Sequence, residues 1–310
     1  MPLQKSANDS LRNAYDSQWL PGKRRIVDGG NDQGEAMADK GGFIGVFDSG
    51  LGGISVLHHL VRQLPHEDFV FFGDSAHNPY GEKTPEQILG YARQIVGDLV
   101  DEGAKAIVIA CNTATSVAAA ALRDELPSLP IVGVEPALKP ATEHDPHRRI
   151  LVMATPVTLR MDKFQHLAHT YGSDSEIIEA PCEGLAQRIE QGELDGADLH
   201  ELIENLVGRY RGGVDSVVLG CTHYPFVRHQ IADVLGDVPF FDGGDGTARR
   251  VGSLLAKDGM LNESDAPGTV AFRSSLHEPG VLDRYQQFFE MGLGYRRVPQ
   301  KKRATVPGPV

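Results

Sequence analysis

The 310-residue sequence has few cysteines, little positive charge and no long apolar run. Three cysteines occur, Cys111, Cys182 and Cys221, far apart and without C-x-x-C spacing. That excludes a zinc knuckle and a disulfide framework, and it fits a reducing cytoplasm. Thirty Lys and Arg against 42 Asp and Glu leave a net charge of −12, so neither nucleic acid nor an anionic membrane is expected as a general partner. An anionic ligand would have to be held by local N–H groups, hydroxyls and helix dipoles. No stretch approaches the roughly 18 apolar residues of a membrane span, and the N-terminus lacks the apolar centre of a secretory signal. Aromatics are sparse at 7%, but 41% hydrophobic and 23% charged residues are the proportions of a globular protein with sizeable cores.

The most informative stretch is Ile107–Ser116, IVIACNTATS. A short β-branched run reads as a buried strand ending on Cys111, with Asn112 and Thr113 as cap-type side chains before the Ala-rich helix 114–122. Such a strand-to-helix turn points backbone N–H groups outward at the positive end of a helix dipole. A thiol there is expected to be more acidic than a free one. The device recurs about a hundred residues later: Gly103-AKAIVIA-Cys111 and Gly213-VDSVVLG-Cys221 place Gly, Val and Cys at the same spacing, with Thr113 and Thr222 following. Free cysteines at strand ends are ordinarily small hydrophobes, but duplication with polar neighbours argues for two related halves, each delivering one thiol.

In chain order, residues 1–41 read as a flexible extension carrying at most a short helix over 10–20. Strand 43–48 ends on Asp48 and is followed by Ser49 and a glycine-rich turn whose spacing is neither that of a dinucleotide loop nor of a Walker loop. Strand 69–72 leads to Gly73-Asp74 and to Pro79-Tyr80-Gly81, where Pro and Gly would hold Tyr80 in a fixed loop. Thr84-Pro85-Glu86-Gln87 begins a helix that Gly103 ends. Strand 130–135 precedes a charged, Pro-containing break, Glu143-HDPHRR, read as a solvated crossing to the second half. There strands 149–155, 176–183 and 214–220 alternate with helices 157–171, 185–191 and 199–211, and Thr222-His223-Tyr224-Pro225 starts the next helix. Strand 239–242, helix 248–257, strand 270–275 and helix 282–291 complete the pattern, and a basic Pro-rich tail closes it. Strand–helix alternation implies parallel sheets.

Gly45-VFDSGLGG, Gly73-DSAHNPYGEKT, Ala110-CNTATS, Gly133-VEPALKPA and Gly220-CTHYP together resemble the glutamate racemases of the aspartate/glutamate racemase superfamily. The resemblance implies two similar α/β domains, each a parallel-sheet sandwich, related by a pseudo-twofold axis with the site between them. It divides the chain into 1–41 as extension, 42–138 with 243–295 as the first domain, 139–242 as the second and 296–310 as a basic tail. It implies cofactor-independent interconversion of L- and D-glutamate for peptidoglycan synthesis, with neither pyridoxal phosphate nor a metal. Residue by residue, the two catalytic thiols fall on Cys111 and Cys221. Asp48 and His223 match their polar partners, and Glu190 matches a further acid in a divergent segment. Asp48-Ser49, Tyr80-Gly81, Asn112-Thr113 and Thr222-His223 match the substrate-binding pairs, and Asp74 matches a supporting acid. Beyond glutamate, the partners allowed are a cell-wall precursor as regulator and a second copy in a homodimer.

The chemistry suits these residues. Moving a proton between the two faces of one carbon asks for a base on each face, one thiolate and the other thiol. At pH 7 only a few per cent of free cysteine is thiolate, so each needs a helper. Rival readings are an aspartate or hydantoin racemase or a related decarboxylase, since one methylene discriminates weakly. A nucleotide- or phosphate-binding regulatory module on the glycine-rich turn is another. A pyridoxal-phosphate racemase would need a Schiff-base lysine, and none sits in a convincing motif.

Overall fold

The computed structural model describes residues 42–172 and 174–293, together with the backbone of Ile26 and Val27. The expected helix over 10–20 and the basic tail lie outside the described residues, as does most of the N-terminal extension.

Runs of β-branched and aromatic residues form two parallel sheets. In the first, β1 (Ile26–Val27), β10 (Val270–Ser274), β3 (Phe69–Gly73), β2 (Phe43–Asp48), β4 (Ala104–Ile109) and β5 (Ile131–Gly133) lie side by side in that order. In the second the order is β7 (Glu176–Pro181), β6 (Arg149–Ala154), β8 (Ser216–Leu219), β9 (Phe240–Asp242). Counted by appearance, β3-β2-β4-β5 and β7-β6-β8-β9 both run second, first, third, fourth. The repeat seen in the cysteine segments is therefore a repeat of topology, with the two thiols following the third strand of each set. The described residues of the extension, Ile26 and Val27, add a small edge by pairing with Val270 and Ala271.

Both faces of the central strands are covered, so they read as continuous apolar runs. Along β2, Ile44 and Val46 join a cluster with Leu57 and Leu60 of α1 (Ile54–Gln63). Phe43 and Phe47 join another with Ile95 and Leu99 of α2 (Pro85–Asp101) and Ala118 of α3 (Asn112–Glu125). Helix α2 starts with the expected chemistry, a capping box in which Thr84 Oγ1 accepts from Gln87 N and Gln87 Oε1 accepts from Thr84 N.

In the second half, Ile150 and Val152 of β6 pack with Leu138 of α4 (Leu138–Thr142). The expected helix over 157–171 is two helices, α5 (Pro156–Arg160) and α6 (Asp162–Tyr171), parted at an extended Met161. Gln165 Nε2 donates to the Leu159 carbonyl at 2.8 Å, satisfying a group that the break exposes. Helices α7 (Leu185–Glu190), α8 (Ala197–Val207) and α9 (Arg228–Leu235) complete this half, with short 3-10 turns at 208–210 and 224–227 where the sequence reads as continuous helix. Helix α10 (Gly244–Lys257) then packs on α1.

The largest core cluster crosses between the halves, joining Leu51 and Ile54 to Leu185, Ile189, Tyr224 and Phe226. Helix α11 (Val281–Met291) lies over that seam, with Phe288 edge-on to Phe226 at 4.9 Å and Phe289 stacked on His58 at 5.0 Å. No helix among the described residues is long and apolar enough to cross a membrane.

Candidate active site

Open parallel sheets gather ligand-binding groups at the carboxyl ends of their strands. Here β2 ends in Asp48, β3 leads into Asp74, β4 into Ala110-Cys111, β6 into Thr155 and β8 into Gly220-Cys221. Every residue singled out above except Tyr80, Gly81 and Glu190 sits within four positions of such a strand end.

Cys111 is buried and is itself the N-cap of α3: its sulfur accepts from Ala114 N at 3.4 Å and lies 3.8 Å from Ser49 Oγ. Asn112 and Thr113 therefore do not cap. They occupy the first helical turn, nine-tenths buried, and Asn112 Oδ1 has no hydrogen-bond partner among the described residues. The expectation of an acidified thiol is overturned. Burial pushes the Cys111 thiol well above its ordinary range and the nearby Asp48 pushes it further, outweighing the hydrogen bonds from Ala114 and Ser49.

Asp48 has no exposed surface. It accepts from Ser49 N at 2.7 Å and, across the seam, from Thr222 Oγ1 at 3.1 Å. Burial raises its carboxyl pKa even against the lowering influence of His223 and these donors.

On the other side, Cys221 Sγ lies 3.6 Å from His223 Nδ1, and His223 Nε2 lies 2.7 Å from Glu190 Oε1. The same carboxylate oxygen accepts from Leu51 N at 2.9 Å, so Glu190 binds both the histidine of its own half and the turn of the other. Burial alone would lower the His223 pKa. Hydrogen bonds to Cys221 and Glu190, together with their charges, carry it well above the ordinary histidine range. The Cys221 thiol is close enough to raise the pKa of the Cys111 thiol further.

The glycine-rich turn has a use other than phosphate. A Cβ on Gly52 would stand 2.5 Å from His223 Nδ1 and 2.6 Å from Thr222 Oγ1, and one on Gly50 would overlap Glu190 Oε1. The absent side chains let the two halves close, so the space a phosphate cradle needs is filled by the opposite half.

Tyr80 is buried, and its hydroxyl donates to Asp74 Oδ2 at 2.5 Å. Burial and the Asp74 charge raise its phenol far above the usual range, so it remains a donor. Gly81 faces Val157 of the second half, where a Cβ would lie 3.9 Å from Cγ2. Eleven of the twelve site residues expected from sequence thus collect along one seam, with the twelfth, Asp74, behind it.

Sequence reasoning missed Thr158. Its hydroxyl lies 3.5 Å from Thr113 Oγ1 and 2.9 Å from Thr155 Oγ1, a chain of hydroxyls crossing between the halves. The signal was a Thr at a strand end with a second Thr one helical turn on. The third cysteine, Cys182, is buried behind Cys221, its thiol pushed up to about 12 by burial and by Cys221. Among the described residues no group of three or more His, Cys, Asp or Glu could hold a metal ion.

This arrangement of two half-sites has close relatives. The Asp/Glu/hydantoin racemase family profile matches residues 44–251. A glutamate racemase of Clostridium perfringens is 43% identical over 250 residues, 80% of this chain and 96% of that protein. One of Bifidobacterium adolescentis is 45% identical over 240 residues, covering 75% and 92%. Among solved structures, Francisella tularensis glutamate racemase in complex with D-glutamate superposes with a TM-score of 0.70 at 28% identity, covering 82% of this chain and 95% of that one. Escherichia coli glutamate racemase, bound to L-glutamate and the activator UDP-MurNAc-ala, gives 0.68 at 31% identity, covering 79% and 95%. With a family match over residues 44–251 and relatives above 40% identity along nearly their whole length, this chain belongs to the Asp/Glu/hydantoin racemase family.

Proposed function

We propose that this protein interconverts L- and D-glutamate without a cofactor, Cys111 and Cys221 exchanging protons with opposite faces of Cα. The observation that carries the reading is the pair of buried thiols, one after the third strand of each repeated four-strand set, facing a seam that also holds the hydroxyls of Ser49, Thr113 and Thr222. From L-glutamate, by the assignment of faces the resemblance implies, the Cys221 thiolate takes the Cα proton, the bonding electron pair stays on carbon as a carbanion, and the Cys111 thiol returns a proton from the far face. The mirror reaction begins with the thiol and thiolate states exchanged. Only proton positions change, so no redox partner is required.

The residues around the thiols differ, and so do their parts. A protonated His223, fixed by Glu190, is a proton donor and counter-charge 3.6 Å from Cys221 Sγ. Asp48, its carboxyl pKa raised by burial, can take up the proton that Cys111 must lose before acting as base. Ser49, Thr113 and Thr222 present hydroxyls to substrate carboxylates. The open Oδ1 of Asn112 is an acceptor for the substrate ammonium. Tyr80 and Gly81 close the first-half side. Exclusion of water from so buried a site strengthens each of these interactions against a very weakly acidic C–H bond.

Preference for glutamate over aspartate rests on relatives such as those of Clostridium perfringens and Bifidobacterium adolescentis. The product would serve cell-wall precursor synthesis in the bacterial cytoplasm. The Escherichia coli complex with UDP-MurNAc-ala makes a precursor of that type the first regulator to test. Circular dichroism of L- and D-glutamate incubated with the enzyme and no additive, with aspartate alongside, tests the assignment. Glutamate should lose its signal from either enantiomer. In D₂O the product enantiomer should carry deuterium at Cα. Complete retention of the substrate proton would replace two bases with a single one that recycles it.

A further inference from the structure

We propose that His77 is a positioning residue for the Cys111 half of the reaction, acting through Asp74 and Tyr80. This rests on the racemase reading and names a residue outside its twelve.

Asp74 is 1% exposed, and each of its two carboxylate oxygens is engaged. Oδ2 accepts from Tyr80 OH at 2.5 Å, and Oδ1 lies 2.8 Å from His77 Nδ1. The backbone ties the unit down, Asp74 N donating to the Asp48 carbonyl at 2.8 Å and His77 N to the Asp74 carbonyl at 3.1 Å. The His77 ring stacks on Tyr91 of α2 at 3.9 Å, which fixes its plane, while its side chain is 40% exposed. At the inner end, Tyr80 packs in the same apolar cluster as Cys111, whereas Cys221 belongs to a different cluster, and Tyr80 feels the charges of Cys111 and Asp48. A surface imidazole, a buried carboxylate and a buried phenol thus form one hydrogen-bonded line, and its phenol ring shares an apolar cluster with one of the two thiols.

The energetic logic is that of a buried charge. A carboxylate this deep needs donors on both oxygens, and removing one leaves an uncompensated oxygen that it relieves by turning toward another donor. That movement draws the acceptor away from Tyr80, and Tyr80 then no longer defines the wall beside Cys111. His77 touches neither substrate nor thiol, and its effect is one-sided.

The test uses the full-length enzyme and three variants at this position. His77→Leu keeps bulk without a donor. His77→Asn keeps a side-chain N–H near the place of Nδ1. His77→Gln places its N–H further out. Racemisation measures overall competence, and elimination of chloride from β-chloro-D-alanine and β-chloro-L-alanine reports each proton abstraction separately. His77→Leu should lower elimination from the D form, assigned to Cys111, about ten-fold relative to the L form, and His77→Asn should restore the ratio where His77→Gln does not. Equal loss from both forms, or a ratio unchanged in His77→Leu, overturns the proposal. A wild-type enzyme that racemises no glutamate would instead overturn the functional reading on which it stands.

Discussion

At the scale of single residues, the two cysteines are equivalent in topology and unequal in chemistry. Cys111 sits beside Asp48 and Ser49, and Cys221 beside a histidine held by Glu190. Serine is a far weaker acid than cysteine, so either Cys→Ser change should stop racemisation in both directions, each direction using both thiols. Abstraction alone needs one, and elimination follows it without reprotonation. Cys111→Ser should keep elimination from a β-chloro-L-amino acid and Cys221→Ser from the D form. Full racemisation by either folded variant would remove that cysteine from the mechanism, and swapped preferences would reverse the assignment of faces. A second residue-scale prediction concerns space. An Ala methyl at Gly52 would meet His223 and Thr222 at distances no real Cβ tolerates, so Gly52→Ala should cost at least about a hundred-fold in kcat/KM by moving the reacting groups apart. Far-UV circular dichroism should show the fold intact. Activity within a few-fold of wild type would mean that the halves do not need to meet there.

At the scale of elements, the contact between α1 and α11 carries a pH dependence. His58 is buried, stacks on Phe289 and sits 3.4 Å from the Phe288 carbonyl. Burial is the main cause that lowers its pKa from 6.5 to about 4. The unfolded chain takes up a proton below about pH 6.5, whereas the folded chain resists until about pH 4. Stability from this residue is therefore complete above that window and falls as the pH drops through it, by at most roughly 3 kcal/mol. Urea midpoints at about pH 7.5 and pH 4.5 should differ less in His58→Phe, which keeps the stacking and removes the titration. An unchanged difference would assign the acid sensitivity to other groups.

Most elements were legible because their chemistry is local. The β-branched run before Cys111, Thr84 with Gln87 three residues on, and Gly103 at a φ of +99° each declare a strand, a helix start or a stop. The break at Met161 was not, since no Pro or Gly marks it and the side chain that stabilises it, Gln165, comes four residues later. The same division holds in the site. Cys111, Cys221 and their polar neighbours announce themselves by duplication. The Glu190–Leu51 contact spans 139 residues and leaves no local trace. The acidity expected of Cys111 failed for a related reason: a helix N-terminus can be read from sequence, but the burial and the Asp48 carboxyl that outweigh it come from the folded chain, Asp48 arriving on the neighbouring strand β2.

At the scale of the whole molecule, the family match begins at residue 44, past the whole of the 1–41 extension. Removing residues 1–41 should leave basal racemisation within about two-fold, because among the described residues the truncation takes away no group of the seam and only the two-residue edge of β1. A folded truncated enzyme without turnover would give the extension a catalytic part. A change seen only when a UDP-linked precursor is added would give it a regulatory one.

The unequal surroundings of two topologically equivalent thiols impose a kinetic constraint. Substrate and product of a racemase are mirror images with identical free energies in water, so the ratio of kcat/KM in the two directions is fixed at one by the Haldane relation. Asp48 and Tyr80 on one face and His223 and Glu190 on the other can therefore give the enantiomers different kcat and different KM, but never a different quotient. Any substitution that cripples one side of the seam must drag both directions down together. Progress curves from pure L- and pure D-glutamate would then be unlike in shape while converging on the same racemate.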